Sequence, residues 1–262
     1  MKYRYTLGMI GSGNMAKAIA DGILNRQVLS ADQICMSAST EKEPYRGIRI
    51  TADNAEILQS CEYVILAVKP QVYRAIADAL TQVQSKCVIS IMAGINLDTL
   101  RAKFGPNVIR VMPNTPGSVG KGMSVLARTD LPQEMTAFAE TVFRQIGEVA
   151  WLDENMFDCM TAVSGSGPAY IYYFIRSMID AAISMGMDAD TARQLTLQTF
   201  DGAVAMVRAN ADTPIDTLIA RVCSKGGTTI EAIRTFEENG LDKTIALGMQ
   251  KCKTRSEELS KA

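Results

Sequence analysis

Between Tyr3 and about Ala150, short unbroken apolar runs alternate with segments of helix length, and this rhythm restricts the fold more than any other property of the chain. The runs are Leu7 to Ile10 followed by Met15 to Leu24, Tyr63 to Val68 followed by Val72 to Val83, then Val88 to Met92 and Val108 to Met112. Strands covered on both faces read as continuous Val, Ile, Leu and Ala, so the pattern predicts βαβ units and a parallel, doubly wound α/β sheet. Gly122 to Arg128 and Glu148 to Leu152 read as two further strands around a helix at about Pro132 to Ile146. With 262 residues, 47% of them apolar, the chain is long enough for one large domain or two modest ones with hydrophobic cores.

After Trp151 the rhythm stops, and the rest reads as helices punctuated by glycine and proline. The expectation is an α/β domain over residues 1–152 and an all-helical domain over 153–262. Pro168 suits the first turn of a long helix, Ser166 or Gly167 its cap, and Gly186 its far end. Ala169 to Met185 is apolar on most sides, broken mainly by Arg176, Ser177, Asp180 and Ser184. It could be the central helix of a self-contained bundle. A segment apolar nearly all round needs cover on every side, however, and a second copy of the chain is the expected source, so a homodimer follows.

The 27 basic and 28 acidic residues nearly cancel, so no overall field draws the chain to nucleic acid or anionic lipid. Histidine is absent and the six cysteines have no close pair, which excludes zinc-site spacings and histidine triads; no metal is expected. Cys223 reads as a small packed side chain rather than a reactive thiol. No apolar stretch reaches the roughly 18 residues of a membrane span, and the expected setting is the reducing cytoplasm, with neither membrane nor nucleic-acid partners.

The first strand-to-helix junction reads Ile10-Gly11-Ser12-Gly13-Asn14-Met15-Ala16, a G-x-G-x-x-A string. In a dinucleotide site the first glycine permits the tight turn, the second lets backbone approach a pyrophosphate, and Ala16 keeps helix close to sheet. Free N–H groups at the helix start then hold the diphosphate. Gly-rich turns also serve as plain tight corners, but here the surrounding strand, helix and alternation favour the nucleotide. The second strand ends in Ile34-Cys35-Met36-Ser37-Ala38-Ser39-Thr40, with no carboxylate to meet a ribose 2′-hydroxyl. Hydroxyls and nearby Lys42 suit a 2′-phosphate, so NADPH is favoured, with NADH retained as the alternative.

In the helical half, Ser224-Lys225-Gly226-Gly227-Thr228-Thr229-Ile230-Glu231 places two glycines before a helix start, and Thr228 with Glu231 spells a capping box. Such a start receives a small anion. It also serves as a well-capped helix with no ligand, and the residues alone leave both readings standing. Ser164-Gly165-Ser166-Gly167-Pro168 marks the entrance to the long helix, as a close-approach point or a tight corner. Met112-Pro113-Asn114-Thr115-Pro116-Gly117 follows a strand end and suits a stiff pocket wall.

Five strings in one order, namely the Gly11 turn, Ala67-Val68-Lys69-Pro70, Met112 to Pro116, Ser164 to Tyr170 and Gly226 to Thr229, resemble the pyrroline-5-carboxylate reductase family over essentially the whole length. The resemblance implies a Rossmann domain joined to a helical dimerisation and substrate-binding domain, with dimers able to build a larger oligomer. It also implies reduction of 1-pyrroline-5-carboxylate, a small imino acid, to proline by NADPH or NADH. By that resemblance Gly11, Ser12, Gly13, Asn14 and Met15 hold the pyrophosphate. Ser37 sits by the adenosine ribose phosphate, and Asn54, Ala67, Val68, Lys69 and Pro70 line the rest of the cofactor cleft. Ser224, Gly226, Gly227 and Thr228 hold the substrate carboxylate, and Thr229 is the hydroxyl assigned to proton delivery. The family commonly shows Ser-Pro-Gly-Gly where this chain has Lys225 in place of the proline.

Two other readings compete. A β-hydroxyacid dehydrogenase-like NADP enzyme shares the architecture but usually carries a lysine on the long interdomain helix, and Pro168 to Met185 has none. A nonenzymatic nicotinamide-dinucleotide sensor would need no anion site at Gly226 to Thr229.

Overall fold

The computed structural model describes residues 3–40 and 42–261. The chain opens with β1 (Tyr5–Ile10), α1 (Asn14–Asn25), β2 (Ile34–Ser37), β3 (Lys42–Tyr45), β4 (Ile48–Thr51), α2 (Asn54–Ser60), β5 (Cys61–Leu66) and α3 (Pro70–Ile76). It continues through β6 (Cys87–Ser90), α4 (Leu97–Phe104), β7 (Val108–Met112), β8 (Gly122–Ala127), α5 (Gln133–Arg144), β9 (Gly147–Leu152) and α6 (Phe157–Met160). A π-turn, Thr161–Gly165, leads into α7 (Gly167–Ser184), α8 (Ala189–Ala209), α9 (Ile215–Val222), α10 (Thr228–Glu238) and α11 (Leu241–Lys261).

The strands form one sheet in the order β3-β4-β2-β1-β5-β6-β7-β8-β9. From β4 to β7 every neighbour is parallel, as the continuous apolar runs require. Both flanks depart from the all-parallel expectation: β3 runs against β4, and β8 runs against β7. The first departure is a hairpin whose two-residue turn, Arg46-Gly47, has φ of 50° and 84°, the type I′ geometry that fits strand twist. Its short polar strand β3 carries no apolar run to announce it. The helix expected from Val72 to Val83 ends early: α3 stops at Ile76, the chain passes through a 3₁₀ turn at Ala77–Ala79, and Gln82 takes a φ of 55°. Leu80 is thereby carried into the core. Helices α2 and α4 are too short to show a period, and each begins on an acceptor side chain: Asp53 takes the Ala55 N–H at 2.8 Å and Asn96 the Thr99 N–H at 2.8 Å.

Two apolar clusters lie on the two faces of the sheet. Ile19 and Ile23 of α1 and Met135, Val142 and Phe143 of α5 cover one; Ile57 and Leu58 of α2, Tyr73 of α3, and Leu97, Leu100 and Phe104 of α4 cover the other. Tyr63 of β5 stacks on Phe138 of α5 with ring centroids 3.8 Å apart, a contact worth about 0.5–1.5 kcal/mol beyond its buried area. Buried Arg110 of β7 meets Glu154 at 2.9 Å and lies over the Phe157 ring, while Glu154 also accepts the Leu97 N–H at 2.7 Å. Losing one partner of such a pair costs about 3–5 kcal/mol, because a charge is left alone in the interior. Burial also holds the core thiols in their protonated form: Cys61 and Cys87 are both pushed up to about 12.

The chain divides into two compact units, one of residues through Ser166 together with those from Cys252 onward, the other Gly167–Lys251. The compact units thus part after the π-turn, and the chain's last turns return to the first unit. There Ser256 Oγ donates to Asp158 Oδ1 at 2.6 Å, and Cys252 Sγ donates to Ser166 Oγ at 3.2 Å.

The second unit is helical and poor in core. Among the described residues of α7, α9 and α10 none is buried, whereas Tyr172, Tyr173, Met185, Leu195, Met206 and Val222 are exposed. An apolar surface of that kind on one chain marks a face that needs another to cover it. No helix among the described residues is long and apolar enough to cross a membrane.

Gly147 opens β9 with a φ of 149°, and a Cβ there would lie 2.0 Å from the Gly122 carbonyl oxygen of β8. Gly147→Ala is expected to lower stability by about 3 kcal/mol or more, read as a shift of the urea midpoint, because the obstruction is backbone in a sheet that cannot yield.

Candidate active site

The parallel strands β1, β5, β6 and β7 all deliver their loops to one edge of the sheet, the edge at which open α/β folds bind ligands. At the centre of that edge, Gly11 leaves β1 with a φ of 110°, and a Cβ on it would lie 2.6 Å from the Ala67 carbonyl oxygen. Only glycine satisfies both demands. The Ala67 N–H in turn donates to the Ile10 carbonyl at 2.8 Å, so the turn and the Ala67 to Pro70 loop are locked together. Gly13 caps α1 in an extended conformation without a side-chain hydrogen bond, and a Cβ on it would meet nothing within 4 Å. The first N–H groups of α1 thus point past an open position, which is the cradle a diphosphate needs.

Gly11, Ser12, Gly13, Asn14, Met15, Ala67, Val68, Lys69 and Pro70 are brought together here, and Ser37 and Asn54 join them by hydrogen bonds at the glycine turn. Ser37 is buried; its Oγ accepts the Gly11 N–H at 3.3 Å and donates to Asn54 Oδ1 at 2.5 Å. Ser37 therefore braces the glycine turn at the end of β2. The exposed groups at that strand end are Ser39, Thr40 and Lys42.

Within the second unit, Ser224, Gly226, Gly227, Thr228 and Thr229 form a turn and helix start. The Gly227 N–H donates to the Ser224 carbonyl at 3.0 Å and Gly226 has a φ of 72°, the mark of a type II turn with glycine in its third place. Lys225 occupies the position that proline would pre-set, and the turn closes regardless; the missing restriction is worth about 0.4–1 kcal/mol of chain entropy. A Cβ on Gly227 would lie 2.3 Å from Ser224 Oγ, so this glycine is required for the hydroxyl to fold over the helix start.

The expected capping box does not form. Gly227, not Thr228, is the cap of α10, it offers no side chain, and Glu231 pairs with Arg234 at 2.9 Å instead. One residue of displacement puts Thr228 and Thr229 inside the first turn, and the N–H groups there keep their capacity for an anion. A link absent from the sequence reading lies in the first unit: Asn114 Nδ2 donates to the Ser164 carbonyl at 3.0 Å, and its Oδ1 accepts the Met123 N–H at 2.9 Å.

A glycine-turned sheet edge with an uncapped helix start, followed by a helical unit with a second uncapped helix start at Gly227, has the form of a dinucleotide-dependent oxidoreductase of the Rossmann type. Residues 154–259 match the family model described as pyrroline-5-carboxylate reductase dimerisation, and residues 6–94 match one described as NADP oxidoreductase coenzyme F420-dependent. The pyrroline-5-carboxylate reductase of Vibrio alginolyticus is 39% identical, covering 97% of each chain, and that of Escherichia coli is 37% identical, covering 98% of each. A crystal structure of the Plasmodium falciparum pyrroline carboxylate reductase with NADP bound superposes with a TM-score of 0.90 at 28% identity, covering 99% of this chain and 100% of that one. The chain belongs to the pyrroline-5-carboxylate reductase family.

Because the Gly13 position faces open space, Gly13→Val is expected to fold with a melting temperature close to that of the parent while losing dinucleotide binding. Titration calorimetry with NADPH checks this; retained tight binding contradicts the assignment of the turn.

Proposed function

We propose that the protein reduces 1-pyrroline-5-carboxylate to proline with NADPH, or with NADH as a second donor, as a cytoplasmic homodimer able to assemble further. The observation that carries the reading is the pairing of family membership with the uncapped start of α1 behind Gly11 and Gly13. Gly11, Ser12, Gly13, Asn14 and Met15 hold the pyrophosphate, the backbone N–H groups beyond Gly11 donating to it, with Ser37 and Asn54 keeping the turn in shape. Ala67 to Pro70 line the cleft beyond it. Ser39, Thr40 and Lys42, exposed beside Ser37, are further groups offered to a 2′-phosphate.

Residues 153–262 supply the dimerisation and substrate-binding functions. The substrate carboxylate docks on the start of α10 at Ser224, Gly226, Gly227 and Thr228, where hydroxyls and first-turn N–H groups donate and the two glycines shape the turn that leaves them open. Each charge-assisted bond there is worth about 1.5–3 kcal/mol, enough to orient a small ring. Reduced nicotinamide supplies the hydride; the chain's part is alignment and charge complementarity. A cyclic imine is basic enough to arrive partly protonated, so a chain without histidine needs no strong acid. Thr229, the second residue of α10, is assigned the hydrogen bond to the ring nitrogen and the relay of a proton from solvent.

The direct test follows NADPH absorbance with pyrroline-5-carboxylate, with 3-hydroxy acids and with no substrate. Consumption with the imino acid alone is expected, and turnover of 3-hydroxy acids in its place sinks the reading. Thr229→Val is expected to lower kcat by about 10-fold to 1,000-fold, below the largest general-acid effects, since a bound water substitutes in part. Unchanged turnover removes Thr229 from the mechanism.

A further inference from the structure

The π-turn Thr161–Gly165 is separated from α7 by Ser166 alone, whose N–H donates to the Thr161 carbonyl at 2.8 Å, the i+5 bond of the turn. Single π-turns set into helices are costly and recur at functional places. The local cause is legible in the chain. In α-helical continuation the Ser164 carbonyl would accept from the N–H four residues on, and that residue is Pro168, which has none and whose ring crowds the same carbonyl. The carbonyl is left without its i+4 helical donor.

Asn114 fills that vacancy from another part of the chain. Its Nδ2 donates to Ser164 and its Oδ1 accepts from Met123, so both halves of one carboxamide are used, by the π-turn and by β8. Asn114 stands two residues beyond the end of β7, on the ligand-binding edge. In a Rossmann sheet the adenosine half lies toward β2, so β5, β6 and β7 carry the loops on the nicotinamide side. The π-turn is close to the same strand end: a Cβ on Gly165 would lie 3.8 Å from Met112 Cε.

We infer that Asn114 is a positioning residue for hydride transfer. By donating to the Ser164 carbonyl that Pro168 orphans, it sets the backbone of the Ser164–Ser166 corner beside the reacting end of the bound cofactor. The inference rests on the reductase reading. It assigns Asn114 no contact with cofactor or substrate; it acts through the corner it holds. Asparagine is suited to the task because one side faces an acceptor and the other a donor, and neither Asp nor a hydroxyl residue supplies both without a change of protonation or reach.

The test is a cycle of Asn114→Asp, Pro168→Ala and the double variant, assayed as full-length dimeric enzyme. Asn114→Asp keeps the acceptor for the Met123 N–H and opposes the Ser164 carbonyl. Pro168→Ala restores an N–H that serves that carbonyl. Asn114→Asp is expected to lower kcat by about 10-fold to 100-fold, the cost of misalignment by about 1 Å, with the Kd for NADPH by fluorescence titration within about 3-fold of the parent. The amides of 164–167 are expected to exchange hydrogen faster. The double variant is expected to recover most of the lost kcat and of the lost protection.

A double variant no better than Asn114→Asp, an unchanged kcat in Asn114→Asp, or a loss of NADPH affinity matching the loss of rate each overturns the inference. If Asn114→Asp fails to fold, Asn114→Ser is scored by the same criteria. A parent enzyme inactive on pyrroline-5-carboxylate would instead overturn the reductase reading, which separates the two failures.

Discussion

The close approach of Gly11 to the Ala67 carbonyl is the constraint around which the first unit is arranged. β1 lies inside the sheet with β2 on one side and β5 on the other, so its exit has to clear a neighbouring loop at backbone distance. A residue with a Cβ would push β5 away and break the Ala67 N–H bond to Ile10. The same turn leaves the start of α1 uncovered, so the feature that lets the strands pack is also the one that leaves helix N–H groups open to an anion. Stability and binding are served by one local geometry, and Ser37 and Asn54, buried or half-buried beneath it, are its supports.

The helical unit follows the opposite logic. Its helices present tyrosines, methionines and leucines outward, and its few buried positions include Ala192 and Thr196 of α8. A single copy cannot bury that surface, and the family model for this region is one of dimerisation. Folding energy that the first unit draws from two clusters within one chain must in the second come largely from association.

Much of this was legible beforehand because burial on both faces writes a strand directly as an apolar run: β1, β5, β6, β7, β8 and β9 are where the runs fall, within a residue or two at their ends. The Gly11 turn and the Gly226-Gly227 turn were legible because each calls for glycine. What escaped was written in no periodicity. β3 is four residues, largely exposed; α2 and α4 are seven and eight residues long and are held by a capping side chain. The capping box at Thr228 and Glu231 was misread because the motif fixes a spacing but not which residue takes the cap, and Gly227 took it.

Residue order alone determined the strand-and-helix alternation, the need for glycine at 11, and a Pro168 that deprives Ser164 of a helical donor. Those are properties of a residue and its near neighbours along the chain. Only the tertiary structure decided that Ser37 faces inward to Gly11 and Asn54, that β3 and β8 run antiparallel, and that Asn114, fifty residues from Ser164, supplies the missing donor. Each of those depends on which distant groups the sheet order brings within hydrogen-bond reach, and a local pattern carries no information about that distance.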